Sequence, residues 1–270
     1  MLLITLAVSV PSPRSWRNRR VYQLLTDRFA SESGAPCRDL TQYCGGTFRA
    51  LQKKLDYIQD LGYNAIWISP TPEQAENSTY SYHGYWFSNF YKTNPFFGTE
   101  EELKELVEAC HKRDIWVMAD VVYNHVGGCD GGVFDYSCID TFPKAEYYHA
   151  YCNIYDYNNE DEVQNCRLSD LPDLNQSNSY VNRTLLDWAA WYQKNFNFDA
   201  YRIDTVKHID HPFWKGLRPV TNDWYNIGEI FVNSWDTISS YVNDKEIYSA
   251  FNYPLYYAIG STIGSGGSMY

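Results

Sequence analysis

The sequence predicts an α/β protein built from repeated βα units around a parallel sheet. Three observations carry this reading. Short β-branched and aromatic runs alternate with amphipathic helical patterns. At 44% hydrophobic residues over 270 positions, the chain can bury a large core. Polar residues able to do chemistry recur where the strand-like runs end.

Taken in order, the N-terminal run LLITLAVSV is about as long as the apolar part of a signal peptide but lacks a basic n-region and a clear small-residue cleavage site. Residues 1–13 are therefore read as a possible leader. Strands are expected near 21–29, 65–69, 115–122, 198–205, 225–231 and 248–252, six in all. Between the first two, Phe48, Leu51, Leu55, Ile58 and Leu61 recur every three or four residues, predicting one helix closed by Gly62. The next helix starts at Thr99 with Glu102 three positions on, a capping box. The helix before the fourth strand carries Leu185, Leu186, Ala189 and Tyr192.

One connection breaks the rhythm. Residues 126–178 are rich in Gly, Asp, Asn, Tyr and Cys and have no strong helical period, so they are expected to form a small disulfide-tied subdomain inserted after the third strand. Residues 14–125 and 179–270 then form the main domain.

A net charge of -11 argues against nucleic acid or an anionic membrane as partner, and a neutral substrate fits better. No other apolar run approaches the ~20 residues that span a bilayer. Aromatic residues make up 17% of the chain, including 25 Tyr and 9 Trp, and such amphipathic rings can stack on sugar faces, although most serve core and surface packing. The seven cysteines include the close pairs Cys37/Cys44, Cys129/Cys138 and Cys152/Cys166, all in loop-like stretches. Cys110 shares a helical face with Leu103, Leu106 and Val107 and reads as a buried free thiol. Sequons at Asn77, Asn175 and Asn182 suit a secretory route.

The chemistry concentrates at strand ends. WVMADVVYNH delivers Asp120, Asn124 and His125; FDAYRIDTVKH delivers Arg202, Asp204, Lys207 and His208; WYNIGEIF delivers Glu229. A lone strand-end aspartate is most often a structural ion pair. Several together point to a site, because burying unpaired charge in a sheet interior costs several kcal/mol. Asp204 and Glu229 lie on consecutive strands, within reach of the ~5 Å separation that a nucleophile and an acid/base need in glycoside hydrolysis. Arg202, two residues before Asp204, points to the same side and is expected to hold it ionised. Glu229, behind Ile227 and Gly228, is expected to have a raised pKa and act as the acid.

The strings DVVYNH, RIDTVKH, GEI and LPDLN, with HGYW and LLTDRFA upstream, resemble the sequence regions of family 13 glycoside hydrolases, most closely fungal, secreted, calcium-dependent α-amylases. The resemblance spans roughly residues 16–262, and LPDLN matches the α-amylase form of its region. It implies a TIM (β/α)8 barrel, here incomplete at about six βα units, with the insertion as a calcium-binding subdomain. It also implies endo-hydrolysis of α-1,4-glucans by a retaining double displacement, with Asp204 as nucleophile and Glu229 as acid/base. Gln42, His83, Tyr85, Trp86, His125, Arg202, Lys207 and His208 are assigned to substrate, with Tyr85 as stacking platform. Calcium is assigned to Asn124, Asp173 and the main-chain carbonyls of Gln164 and His208. The implied disulfides are Cys37–Cys44 and Cys152–Cys166, while Cys129–Cys138 follows from spacing alone. A monomer in the extracellular space is expected.

Two departures stand out. Ala200 and Tyr201 occupy barrel-wall positions where many relatives carry Gly and Leu. The family's NHD-bearing seventh strand is absent from the 270 residues, so the chain reads as ending before it. A truncated, non-catalytic glucan-binding product and a family transglycosylase therefore remain alternatives at this stage.

Overall fold

The computed structural model describes residues 11–75, 80–243 and 245–264. Its elements, in chain order, are strand β1 (Val21–Leu24), helices α1 (Thr26–Phe29), α2 (Phe48–Gln52) and α3 (Leu55–Asp60), and strands β2 (Ala65–Ile68), β3 (Pro72–Gln74) and β4 (Phe87–Thr93). There follow α4 (Glu100–His111), β5 (Trp116–Val121), α5 (Glu160–Asn165), α6 (Ser179–Phe196) and β6 (Ala200–Ile203). The chain then runs through α7 (His211–Val220), β7 (Asn226–Gly228), α8 (Trp235–Tyr241), β8 (Ser249–Ala250) and α9 (Tyr253–Ile263).

Six strands form one parallel sheet in the order β1-β2-β5-β6-β7-β8. Consecutive parallel neighbours, each joined through helices, make a curled, incomplete TIM-type barrel. Residues alternate across the sheet. Ile66, Ile68, Val117, Ala119, Val121 and Ile203 join the core shared with the helices, whereas Ala65, Met118 and Ala200 cluster inside the curl. Trp16 plugs the lower end of the interior, stacked on Tyr225 at 5.2 Å and edge-on to Trp116 at 5.2 Å. Chain upstream of β1 thus belongs to the barrel.

All six expected strands are present, and each is shorter than expected. β1 stops at Leu24 because Thr26 donates its N–H to Ser69 Oγ, not to a neighbouring strand, and the chain turns into α1. The turn buries Asp27, whose carboxylate accepts the N–H groups of Cys44 and Gly45 and the Arg28 guanidinium. The single helix expected over 48–61 is two. A tight Lys54 N–H to Leu51 carbonyl bond separates α2 from α3, and Leu61 is left 52% exposed. Gly62 ends the segment with φ +87°, as its sequence position suggested. The antiparallel pair β3–β4 was not legible: Phe87, Ser88 and Phe90 are all buried, so no clean alternation shows.

The capping box is formed, with Glu102 N–H on Thr99 Oγ1 at 3.2 Å and Thr99 N–H on Glu102 Oε2 at 3.0 Å. In α6 the buried stripe is Leu185, Trp188, Ala189 and Tyr192, with Leu186 only half-buried. Cys110 is buried and unpaired, and burial pushes its thiol up. The other six cysteines form Cys37–Cys44, Cys129–Cys138 and Cys152–Cys166. The last two lie between β5 and α6, where the only helix of more than one turn is α5. Residues 1–10 of the expected leader and the sequon at Asn77 lie outside the described residues. No described helix is long and apolar enough to cross a membrane.

Candidate active site

The upper end of the curled sheet gathers four charged groups because strand register puts them on one face. Asp120 on β5 pairs with Arg202 on β6, which pairs with Ile227 on β7. Two residues further along their strands' paths come Asp204 and Glu229, so both leave the sheet on the same side. Arg202 sits at the centre. Its Nη1 donates to Asp120 Oδ1 at 2.9 Å and to Asp204 Oδ1 at 2.6 Å, and its Nη2 lies 3.0 Å from Glu229 Oε2. Asp120 is fully buried and spends its other oxygen on Trp67 Nε1 and the Tyr85 hydroxyl, both at 2.8 Å. It is an anchor for Arg202 and Tyr85.

Thr205 follows Asp204 with φ +49°, a left-handed conformation strained for a β-branched residue. The strain has a local result: the Thr205 N–H points at Glu229 Oε2, 3.1 Å away. Burial pushes both Asp204 and Glu229 upward, and Arg202 opposes it at both. Arg202 therefore works against the rise at Asp204, but burial is the larger influence. The two carboxyl groups share one guanidinium and so titrate together as a pair. Both carboxyl groups lie within 3.0 Å of the one Arg202 guanidinium, so they face each other closely, the arrangement of a nucleophile and an acid more than of two groups set apart for a water.

Around this pair the substrate-site residues expected from sequence divide. Gly84, with φ +88° and no room for a Cβ against the Pro70 carbonyl, turns the chain so that His83 and Tyr85 stack with ring centres 5.6 Å apart. Tyr85 reaches the charged cluster, and Arg202 lies 5.8 Å over its ring. Trp86 packs edge-on to His83 at 4.6 Å and so supports the platform from one side. His83, His125 and His208 are each lowered to about 4 by burial, so all three are neutral near pH 7. His125 Nε2 is buried with no partner among the described residues. Lys207, lowered by burial, lies 5.4 Å over Tyr157. Gln42 is exposed, and its carbonyl receives Arg28 Nη2 at 2.9 Å; among its described contacts none reaches the carboxylates.

Two cavities flank the pair. One is lined by Tyr157, Lys207, His208, Glu229, Phe231 and Tyr257; the other by Trp67, Tyr85, Arg202, Phe251 and Tyr253. The sequence reading missed Trp67, Tyr157, Phe251 and Tyr253. Only Trp67 carried a signal, since it lies two residues from Ala65 on an inward-facing strand position.

The insertion meets the barrel at a polar seam. His125 and Asp173 form an antiparallel bridge, with Leu174 N–H on the Asn124 carbonyl at 2.8 Å and Val126 N–H on the Pro172 carbonyl at 3.1 Å. This pairing brings Asn124 and Asp173 together, and Oδ1 of each is buried without a partner among the described residues. Burial pushes Asp173 up to about 7, opposed by His149, whose Nδ1 is 2.6 Å from its other oxygen. Nearby, His208 Nδ1 donates to the Val163 carbonyl at 3.1 Å, tying the last turn of α5 to the segment after β6. Gln164 belongs to that last turn, where carbonyls have no partner within the helix. No group of three or more His, Cys, Asp or Glu placed to hold a metal ion occurs among the described residues. Orphan amide, carboxylate and carbonyl oxygens are instead the donor set that suits a hard cation.

A parallel barrel sheet with a carboxyl pair at its upper end, walled by aromatic rings, is the architecture of a glycoside hydrolase. The family model "Alpha amylase, catalytic domain" matches residues 23–268. An alpha-amylase of Saccharomycopsis fibuligera is 39% identical over 266 residues, covering 94% of this chain and 53% of that protein. The solved alpha-amylase of Malbranchea cinnamomea superposes with a TM-score of 0.86 at 35% identity, covering 93% of this chain and 55% of that one. An alpha-amylase from Geobacillus thermoleovorans, solved with acarbose, gives a TM-score of 0.81 at 34% identity over 92% of this chain and 54% of that one. The chain belongs to the α-amylase catalytic-domain family of glycoside hydrolases. It spans about half the length of the relatives it matches.

Proposed function

We propose that this chain carries the catalytic pair of a retaining α-amylase that cleaves internal α-1,4 bonds of starch-like glucans. The observation that supports this most directly is the pairing of Asp204 and Glu229 on the one guanidinium of Arg202, at 2.6 and 3.0 Å, at the upper end of the sheet. Asp204 attacks the anomeric carbon while Glu229 passes its proton to the departing glycosidic oxygen. The C–O bond breaks, a glycosyl ester forms on Asp204, and Glu229 is left as carboxylate. Glu229 then takes a proton from water, whose oxygen displaces Asp204 and restores the starting charges. Tyr85 stacks beneath the reacting sugar, and neutral His83, His125 and His208 hydrogen-bond its hydroxyls. Cavities on both sides of the pair suit a chain cut internally.

Asn124, Asp173 and the main-chain carbonyls of Gln164 and His208 hold Ca²⁺ on this reading, supported by the orphan Oδ1 atoms of Asn124 and Asp173. When bound, the ion supplies electrostatic cross-linking between the 126–178 subdomain and the barrel. Three disulfides and two described sequons support secretion. The net charge of -11 supports a neutral glucan as substrate, bound by a monomeric enzyme without nucleic acid or membrane.

The test is covalent trapping. A slowly hydrolysed fluorinated maltosyl fluoride is expected to add its glycosyl mass to the peptide bearing Asp204, and Glu229→Gln is expected to lose starch hydrolysis by at least ~10²-fold. Adduct on another residue, or products of inverted configuration, would refute the assignment. Products longer than the donor would assign the same pair to transglycosylation.

A further inference from the structure

Glu229 is held at both oxygens, and the two sets of contacts come from different parts of the chain. Oε2 takes the Thr205 N–H at 3.1 Å and faces Arg202 Nη2 at 3.0 Å. Oε1 has neither. It lies 3.3 Å from the hydroxyl of Tyr253, the first residue of α9. With two donors already on Oε2, one of them a full positive charge, protonation is favoured at Oε1. The oxygen that carries the transferable proton is thus the one Tyr253 touches.

Tyr253 is itself placed by more than this contact. Phe231 meets its ring edge-on at 4.7 Å and Phe251 at 6.4 Å. The helix that begins at Tyr253 is capped by Asn252, whose side chain accepts the Leu255 N–H at 3.0 Å. Pro254 presets the first turn. The β7 end supplies Glu229 and the β8 end supplies Tyr253, and β7 pairs directly with β8.

We propose that Tyr253 is a positioning residue for the acid/base of this site: its hydroxyl hydrogen-bonds Oε1 of Glu229, most strongly when the carboxyl is ionised, and fixes the carboxyl rotamer from which the proton is delivered toward the leaving oxygen. This rests on the reading of Glu229 as acid/base. In the second half of the reaction, when Glu229 is a carboxylate, the same hydroxyl keeps Oε1 aimed at the incoming water. No bond to Tyr253 forms or breaks in either step.

The experiment compares the full chain with its Tyr253→Phe variant in two measurements, with near-UV circular dichroism as the check that both are folded. The first is the titration of the Glu229 carboxyl carbon by NMR, assigned by its loss in Glu229→Gln. A hydroxyl that stabilises the carboxylate holds its pKa down, so Tyr253→Phe is expected to raise the Glu229 midpoint by about half a unit or more. An unchanged midpoint overturns the proposal. The second compares a maltooligosaccharide, whose sugar leaving group needs the proton, with an activated aryl maltoside, which needs it less. The variant is expected to lose on the order of tenfold in kcat on the oligosaccharide, with KM little changed, and much less on the aryl substrate. Equal losses on the two substrates overturn it, since a general structural defect would produce them. If the midpoint rises while the unmodified chain cleaves neither substrate, the contact stands and the α-amylase reading falls.

Discussion

Replacing Arg202 with Met keeps most of the side chain's volume and removes one charge that three carboxyl groups share. Asp120, Asp204 and Glu229 all lie within 3.0 Å of its guanidinium, and its side chain is 6% exposed. Breaking one buried ion pair costs about 3–5 kcal/mol, because the remaining charge is left unpaired. Carboxyl groups can escape part of that cost by taking a proton, so the same range serves as the estimate for the whole cluster near pH 7. For a chain of this size that is a fall on the order of 10 °C in thermal midpoint.

The pH dependence follows from the direction of the shifts. Burial raises Asp204 and Glu229 above their ordinary values even with Arg202 opposing, and without Arg202 they rise further. A carboxyl whose folded pKa exceeds its unfolded value near 4 favours the fold below that value and loses the contribution as pH rises through the folded one. The Arg202→Met penalty should therefore be small near pH 4 and grow toward pH 7. Urea unfolding of both chains, followed by tryptophan fluorescence at about these two pH values, measures it. A penalty equal at both, or larger in acid, would refute the claim that these carboxyls depend on Arg202.

Two further outcomes are expected. Chelating calcium should lower the thermal midpoint and restoring it should raise it, by about 2.7 kcal/mol of stability at a hundredfold excess over Kd, and Asp173→Asn should abolish the response; a full response in that variant places the ion elsewhere. Trp188→Ala should cost about 3–5 kcal/mol in chemical unfolding, because the ring is fully buried and its Nε1 donates to the Phe90 carbonyl at 2.7 Å. A loss under ~1 kcal/mol would mean the α6 face is not the packed surface described.

The parallel α/β class and the six strands were written locally, in runs of β-branched residues and in helix signals such as Thr99, Glu102 and Gly62. So was the carboxyl pair, since a charged residue at a strand's end is visible wherever the strand is. What local pattern could not show was length and pairing. β1 ends early because Thr26 bonds to Ser69 and Asp27 to Cys44 and Gly45, partners at least 17 residues away in sequence. The β3–β4 pair hides because Phe87, Ser88 and Phe90 are buried on both faces while Tyr91 and Lys92 are exposed, so the alternation is broken.

The site divides in the same way. Asp204 and Glu229 could be picked out by position, but which of them carries the proton depends on their contact, on burial and on Arg202, none of which one strand encodes. Tyr253 and Trp67 enter the site only because parallel register sets neighbouring strand ends side by side. The seam of Asn124 and Asp173 exists because residues 49 positions apart form neighbouring parts of one bridge. Sequence alone determined which groups this protein has for its chemistry and roughly where each strand offers them. Tertiary structure decided their charge states and their neighbours, because protonation and orientation are set by solvent exclusion and by partners that the chain supplies from far away.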